Sequence, residues 1–483
     1  MKGSAVLLIG VGAALLSGCR KPAAYVPPAV PAPVAHTPAD VYKELDGWKT
    51  AQPADAQLRG KWWEAFGDSQ LNSLEEQVEI SNQNVKAAEA RFREARSMIR
   101  FERAAQYPGV SAGPGISTVR DSAHGPYAPA NVAPTGNFVL PFDLSYELDV
   151  WGRIRQRIAA TREEAQASAA DLESAKLILH CEVAVDYFEL RSADAQQRLF
   201  QRTVETYRDV LRLAASRFEE GASPKSDVTQ AQTELENASV AETDIAVGRA
   251  QYEHALAVLT GRPPAEVTIQ EAAPPANVPV IPAGLPSQLL ERRPDIAAAE
   301  RRVAAANEEI GIARAAFYPT ISLDAALGLQ GHSITSWLTW PSRFWAAGPA
   351  MAETLFDAGR RRAASDTALA SYDAAVAAYR QTVLEAFQQV EDNLAVLRIL
   401  EHEAGQQAEA TASARELLAM SLNRYREGAD PYLQVLAAQT IVLANERNEL
   451  DILRRRLDAS ALLIKALGGG WSSASLPKAT DLQ

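Results

Sequence analysis

The chain has 483 residues and a formal net charge of −12, enough length for two or more domains. An acidic balance argues against a nucleic-acid partner, which a basic face would meet. The six histidines and two cysteines are scattered, and no HExxH, P-loop or Gly-x-Ser-x-Gly spacing occurs, so the residues point to no metal, no cofactor and no enzyme chemistry.

Lys2 opens a short basic end, and an apolar run follows from Ala5 to Leu16. A bilayer-spanning helix needs about 20 apolar residues, so this run reads as a signal peptide (1–18) instead. It closes on Leu16-Ser17-Gly18-Cys19. Small residues before a cysteine resemble a bacterial lipobox, in which the thiol is acylated before cleavage. Cys19 then becomes the mature N-terminus, carrying S-diacylglycerol and an N-acyl chain. Several chains anchor firmly, because each buried CH₂ contributes roughly 0.8 kcal/mol. Arg20 follows, where an Asp would suggest retention at the inner membrane. With Cys19 acylated, Cys181 has no disulfide partner and reads as a small buried apolar residue.

Beyond the signal region no stretch reaches 18 consecutive apolar residues. A mature chain that spans a membrane must therefore do so with β-strands.

The chain is also written twice. Residues 84–119 align without gaps on 295–330, matching Tyr107-Pro108 with Tyr318-Pro319. Further on, Gly152-Arg153 falls on Gly359-Arg360, Arg217-Phe218 on Arg424-Tyr425, Gly221-Ala222 on Gly428-Ala429, and Gly261 on Gly468. Such self-similarity marks a tandem repeat. The expected organisation is a lipid-anchored N-terminal segment, extended or equatorial (19–78), a first repeat (79–271), a Pro-rich connector (272–290), a second repeat (291–470) and a tail (471–483).

Each repeat opens with a shorter helix, 79–106 or 293–317. Two strands follow, 108–119 and 136–149 in the first copy, 319–330 and 344–356 in the second. Phe138–Leu148 and Ile321–Leu329 alternate apolar with polar residues, and their length suits a tilted membrane strand. Trp337, Trp340, Phe344 and Trp345 near the second pair suit a membrane interface or, alternatively, an ordinary core. An Ala-rich helix of about 100 Å comes next, 153–220 or 359–427. A Gly-Ala-x-Pro break turns it into a return helix, 224–260 or 431–467, which stops at Gly261 or Gly468. The shorter and return helices together match the long one, so each repeat supplies two helical rows.

Four strands cannot close a barrel, and lipid tolerates no open edge. Two chains would give eight strands around a filled interior, whereas three give twelve with room for a lumen. Twelve helical rows would then stand under twelve strands. Arg153, Arg155 and Arg157, with Arg360, Arg361 and Arg362, lie where strands hand over to helices. They read equally as contacts to lipid phosphates or as solvated helix starts.

Trp62-Trp63 with Phe66, Asp68 and Leu71, the string Arg292-Arg293-Pro294-Asp295-Ile296, Ala315 to Pro319, Arg424 to Asp430, and Ala466 to Trp471 together resemble the outer-membrane factor (TolC-like) family of tripartite efflux pumps. The similarity is strongest to its lipoprotein branch serving RND-type multidrug efflux. It implies a mainly α fold with transmembrane β: a homotrimer with a 12-stranded outer-membrane barrel continued by a long periplasmic α-helical barrel. It also implies a passive exit duct whose partners are a periplasmic adaptor (membrane fusion) protein and an inner-membrane RND-type transporter. In the family, helix tips pinch the periplasmic end shut. On that resemblance Asp227 and Tyr425 fall on a carboxylate–phenol gate link, and Leu433 on a constricting apolar position. Asp430 stands where some members carry a linking arginine, and Ala437 where an aperture carboxylate stands. Asp227 and Tyr425 are alternatively plain turn and cap residues. Other readings of the whole are a duct for protein or metal ions, or a structural envelope lipoprotein.

Overall fold

The computed structural model describes residues 25–29, 60–120, 122, 124, 133–276, 278–281, 292–478 and 480–482. Its helices are α1 (Ser69–Ser81), α2 (Gln83–Ala104), α3 (Arg153–Glu219), α4 (Lys225–Leu259), α5 (Pro294–Ala315), α6 (Arg360–Arg426) and α7 (Tyr432–Ala466), apart from single turns. Its strands are β1 (Gly109–Ala112), β2 (Gly115–Val119), β3 (Thr135–Glu147), β4 (Thr320–Gly331) and β5 (Arg343–Ala352).

The two longest helices, α3 and α6, have 67 residues each, so each is about 100 Å long. Near the sheet, α3 packs between α2 and α5, and α5 packs on α6. Further down, α4 lies on α3, α3 on α7, and α7 on α6. The wall therefore has four rows: α2 stacked on α4, then α3, then α5 stacked on α7, then α6. Ala160, Ala165, Ala167 and Ala170 are buried on α3, where small side chains let neighbouring helices approach closely.

The stacked rows share one kind of joint. Asn82 accepts from the backbone N–H of Asn84 and Val85 and so caps α2. Its Nδ2 also donates to Leu259 O at 2.7 Å, at the end of α4. In the second repeat, Arg293 Nη1 donates to Ala466 O at 2.9 Å, at the end of α7, while Nε and Nη2 grip Asp295. Each joint satisfies a terminal helix carbonyl that would otherwise be orphaned. Gly261 and Gly468 close these joints with φ of +70° and +92°, and a Cβ at either would clash with the backbone oxygen of Ser81 or Arg292 respectively. Gly468→Ala is expected to cost about 2 kcal/mol from the left-handed backbone alone, with the clash added. Gly405→Ala, in open space on α6, should instead stabilise by about 1 kcal/mol. Thermal melts of the purified variants check both, and equal midpoints would contradict the joint.

Three expectations need correction. The segment expected to be extended up to residue 78 contains a 3-10 turn, Trp62–Phe66, and the helix α1. Asp68 caps α1 by accepting from Gln70 N and Leu71 N, and Leu71, Glu75 and Val78 are buried at helical spacing. Here Trp63 stacks on His180 at 4.5 Å between ring centroids, and Tyr187 donates to Asp68 at 2.7 Å. The strand expected over 108–119 is broken at Gly113-Pro114. Both halves pair with β3 in one register, Ala112 opposite Phe142 and Gly115 opposite Val139. The break thus faces Pro141, and neither proline has an N–H to give the ladder. In addition β5 stops at Ala352, short of residue 356.

Cys181 is buried, and burial pushes its thiol up to about 12. A thiol held protonated in this way is inert.

Candidate functional site

The strands form one antiparallel sheet in the order β1/β2–β3–β4–β5. Register sorts its residues onto two faces, because side chains alternate along each strand. Leu140, Leu329 and Arg343 share a face with Phe142, Leu327 and Trp345, with Leu144, Ala325 and Ala347, and with Tyr146, Leu323 and Pro349. Val110 and Ile116 join it from β1 and β2. Leu327 is 57% exposed and Trp345 78%. The opposite face carries Ser111, Asn137, Asp143, Ser145, Ser322, Asp324 and Gln330. Ser145 and Ser322 both donate to Asp324, at 2.8 and 2.6 Å. Gln330 Nε2 donates to Asn137 at 2.9 Å. One face is thus built for lipid and the other for water, as in a membrane barrel. Both outer edges, β1/β2 and β5, have no partner strand among the described residues.

Below the sheet, most of the basic residues hold carboxylates. Arg153 pairs with Glu147 at 2.7 Å, Arg155 with Asp149 at 3.0 Å, Arg157 with Glu309 at 2.7 Å and Arg361 with Asp357 at 2.8 Å. Asp149 also accepts from Ile154 N and Arg155 N. The clusters therefore fasten strand ends to helix starts.

At the far end, the two hairpin tips have matching turns. Gly221 and Gly428 adopt φ of +75° and +80°. Ala222 N donates to Arg217 O at 2.7 Å, and Ala429 N to Arg424 O at 2.8 Å. A left-handed glycine ends each long helix, and Pro224 or Pro431 opens the return. Val210 and Ala214 of α3, Ala231 of α4, Tyr425 of α6, and Tyr432 and Val435 of α7 form one apolar cluster. That cluster joins the two hairpins.

Tyr425 is only 1% exposed. Burial pushes its phenol up, and the nearby Asp227 carboxylate pushes it further. Within the single chain no hydrogen bond joins Tyr425 to Asp227 among the described residues; the buried Tyr425 hydroxyl lies beside Ser223 and Arg217. Its ring instead packs on Tyr432 at 5.7 Å and lies under the Arg217 guanidinium at 4.9 Å. Asp430 is gripped by Arg424 through two hydrogen bonds, 2.6 and 3.0 Å, which hold its carboxyl below the usual range. Leu433 is 57% exposed. Cys19 lies outside the described residues. The chain shortly after it is pinned to the helical wall, where Arg380 Nε donates to Ala29 O at 3.1 Å and Tyr25 packs against Ile296 and Tyr379.

Sequence reading missed Asn82, Arg217 and the joint role of Arg293. Asn82 stands two residues before the aligned block and falls on Arg293 at the same offset, so extending the repeat would have paired them.

An amphipathic sheet with unpaired edges, carried on a wall about 100 Å tall, defines the protomer of an outer-membrane duct. The family model "Outer membrane efflux protein" matches residues 74–262 and 285–469, and the chain belongs to that family. It is an outer-membrane channel protein of efflux systems, and the family is one of ducts rather than enzymes. The chain is 32% identical over 469 residues to the "Toluene efflux pump outer membrane protein TtgF" of Pseudomonas putida, covering 95% of this chain and 96% of the relative. It is 31% identical to the "Pyoverdine export outer membrane protein OpmQ" of Pseudomonas aeruginosa, covering 87% and 89%. The solved outer-membrane channel OprN superposes with a TM-score of 0.85 at 26% identity, covering 94% of this chain and 99% of that one.

Proposed function

We propose that three copies of the chain close a twelve-stranded barrel and a twelve-row helical duct, through which small, largely apolar molecules leave the cell. The observation that carries this is the antiparallel sheet, four strands wide with β1 and β2 as one broken strand, whose two edges have no partner among the described residues and whose one face is apolar and exposed. Open edges are not tolerated in lipid, so β5 of one copy must meet β1/β2 of the next. Three copies leave a lumen where two would not. The outer edges of the wall, α2/α4 and α6, also expose Phe101, Val240, Val247, Leu384 and Ile399, which a neighbouring copy would cover.

In this reading the hairpin tips form the periplasmic gate. Leu433 lines the constriction, Tyr425 and Asp227 sit at the hairpin junction, and Asp430 stiffens its own tip through Arg424. A periplasmic adaptor and an inner-membrane RND-type transporter dock there and supply the energy; the duct itself performs no chemistry. Acylated Cys19 adds a tether beside the barrel, which mass spectrometry of the mature chain reads directly. Toluene in one relative's name supports apolar cargo. Cells lacking the gene should accumulate a hydrophobic dye several-fold, and the plasmid-borne chain should restore export. Unchanged accumulation would contradict the cargo class.

A further inference from the structure

The two tips differ at one informative position. The repeat places Arg217 on Arg424, Phe218 on Tyr425 and Ser223 on Asp430. Arg424 is captured within its own tip by Asp430, through both carboxylate oxygens. Ser223 offers Arg217 no carboxylate, and Arg217 reaches across to the other hairpin. Its Nη1 donates to Arg426 O at 3.0 Å, and its guanidinium lies over Tyr425. Arg426 O is one of the last carbonyls of α6, where the helix carries partial negative charge. Gly428 leaves the room for this contact, since a Cβ there would stand 3.3 Å from Arg217 Nη2. Arg217 Nε, Ser223 Oγ and Tyr425 Oη are buried together, Ser223 and Arg217 both bearing on the phenol, and none of the three atoms makes a well-formed hydrogen bond among the described residues.

We propose that Arg217 is the latch between the two hairpin tips of each protomer, and that serine at position 223 is what frees it for that role. The inference rests on the reading of the tips as the gate. Moving one hairpin away from the other breaks a charge-assisted hydrogen bond and a cation–π contact together. Arg217 is a positioning residue: it acts on the aperture through the placement of the second hairpin.

Single-channel recording of the purified full-length protein in planar bilayers tests this. Arg217→Ala should raise the time spent in the open level about tenfold, the loss of one hydrogen bond from a charged group. Ser223→Asp should do the same with Arg217 still present, because the new carboxylate captures the guanidinium as Asp430 captures Arg424. Ser223→Asn, of equal size and uncharged, should stay closed. Combining Arg217→Ala with Ser223→Asp should add nothing, as expected for two changes acting on one contact. A rise with Arg217→Ala but none with Ser223→Asp would overturn the role of position 223. If neither opens the channel while Tyr425→Ala does, the gate stands and the latch fails. If Tyr425→Ala is also silent, the reading of the tips as the gate fails.

Discussion

Leu327→Arg should all but remove the protein from the outer-membrane fraction. Leu327 stands in the middle of β4, paired with Phe142 on one side and Trp345 on the other. All three lie on the exposed apolar face. An arginine at the bilayer midplane costs about 2–4 kcal/mol, and a three-chain barrel bears that cost three times. The neighbouring substitution Ala326→Arg is the control. Ala326 points to the other face, opposite Asp143, so a shift of one residue moves the charge from lipid to water. Ala326→Arg should insert normally and change only the current carried. Membrane fractionation compares the two; equal yields would mean that the assigned faces are wrong.

The second large effect concerns Tyr425. Truncation to alanine empties the centre of the cluster that joins the hairpins, a loss of about 3–5 kcal/mol for a buried aromatic. The duct should then leak, measured as influx of an antibiotic normally too large to enter. Tyr425→Phe should behave differently. The ring stays in place, and the hydroxyl it loses, though beside Ser223 and Arg217, makes no well-formed hydrogen bond among the described residues. Removing an unsatisfied buried group is close to neutral or stabilising. A leak from Tyr425→Phe as strong as that from alanine would show that the phenol oxygen, rather than packing, holds the tip.

Much of this architecture was legible in the chain itself. Gly221-Ala222-Ser223-Pro224 and Gly428-Ala429-Asp430-Pro431 combine a left-handed residue with one that lacks an N–H, so both tips could be placed without a structure. The alternation in Phe138–Leu148 and Ile321–Leu329 gave the right faces, because register brings those two apolar sets to the same side. The break at Gly113-Pro114 was less visible. It depends on Pro141, distant in sequence and opposite only once the strands pair. Helix α1 was missed although Asp68 caps it, because its apolar positions are few and its burial comes from α3. The tip contacts were the hardest to read. Aligning Tyr425 and Asp227 on a family link placed them near one another, but it did not show that Arg217 covers the Tyr425 ring and bonds to Arg426 O, since that contact crosses between the two repeats. The string Arg292-Arg293-Pro294-Asp295 proved structural: Arg293 joins two stacked helices at the opposite end of α7 from the hairpin tip.

The measurement closest to the central claim is single-channel current from the purified protein in a planar bilayer, with its mass determined by cross-linking in the same detergent. Long-lived unitary currents from a three-chain species are the predicted result. A three-chain species that never conducts, or conduction by a two-chain species, would contradict a duct shared among three copies.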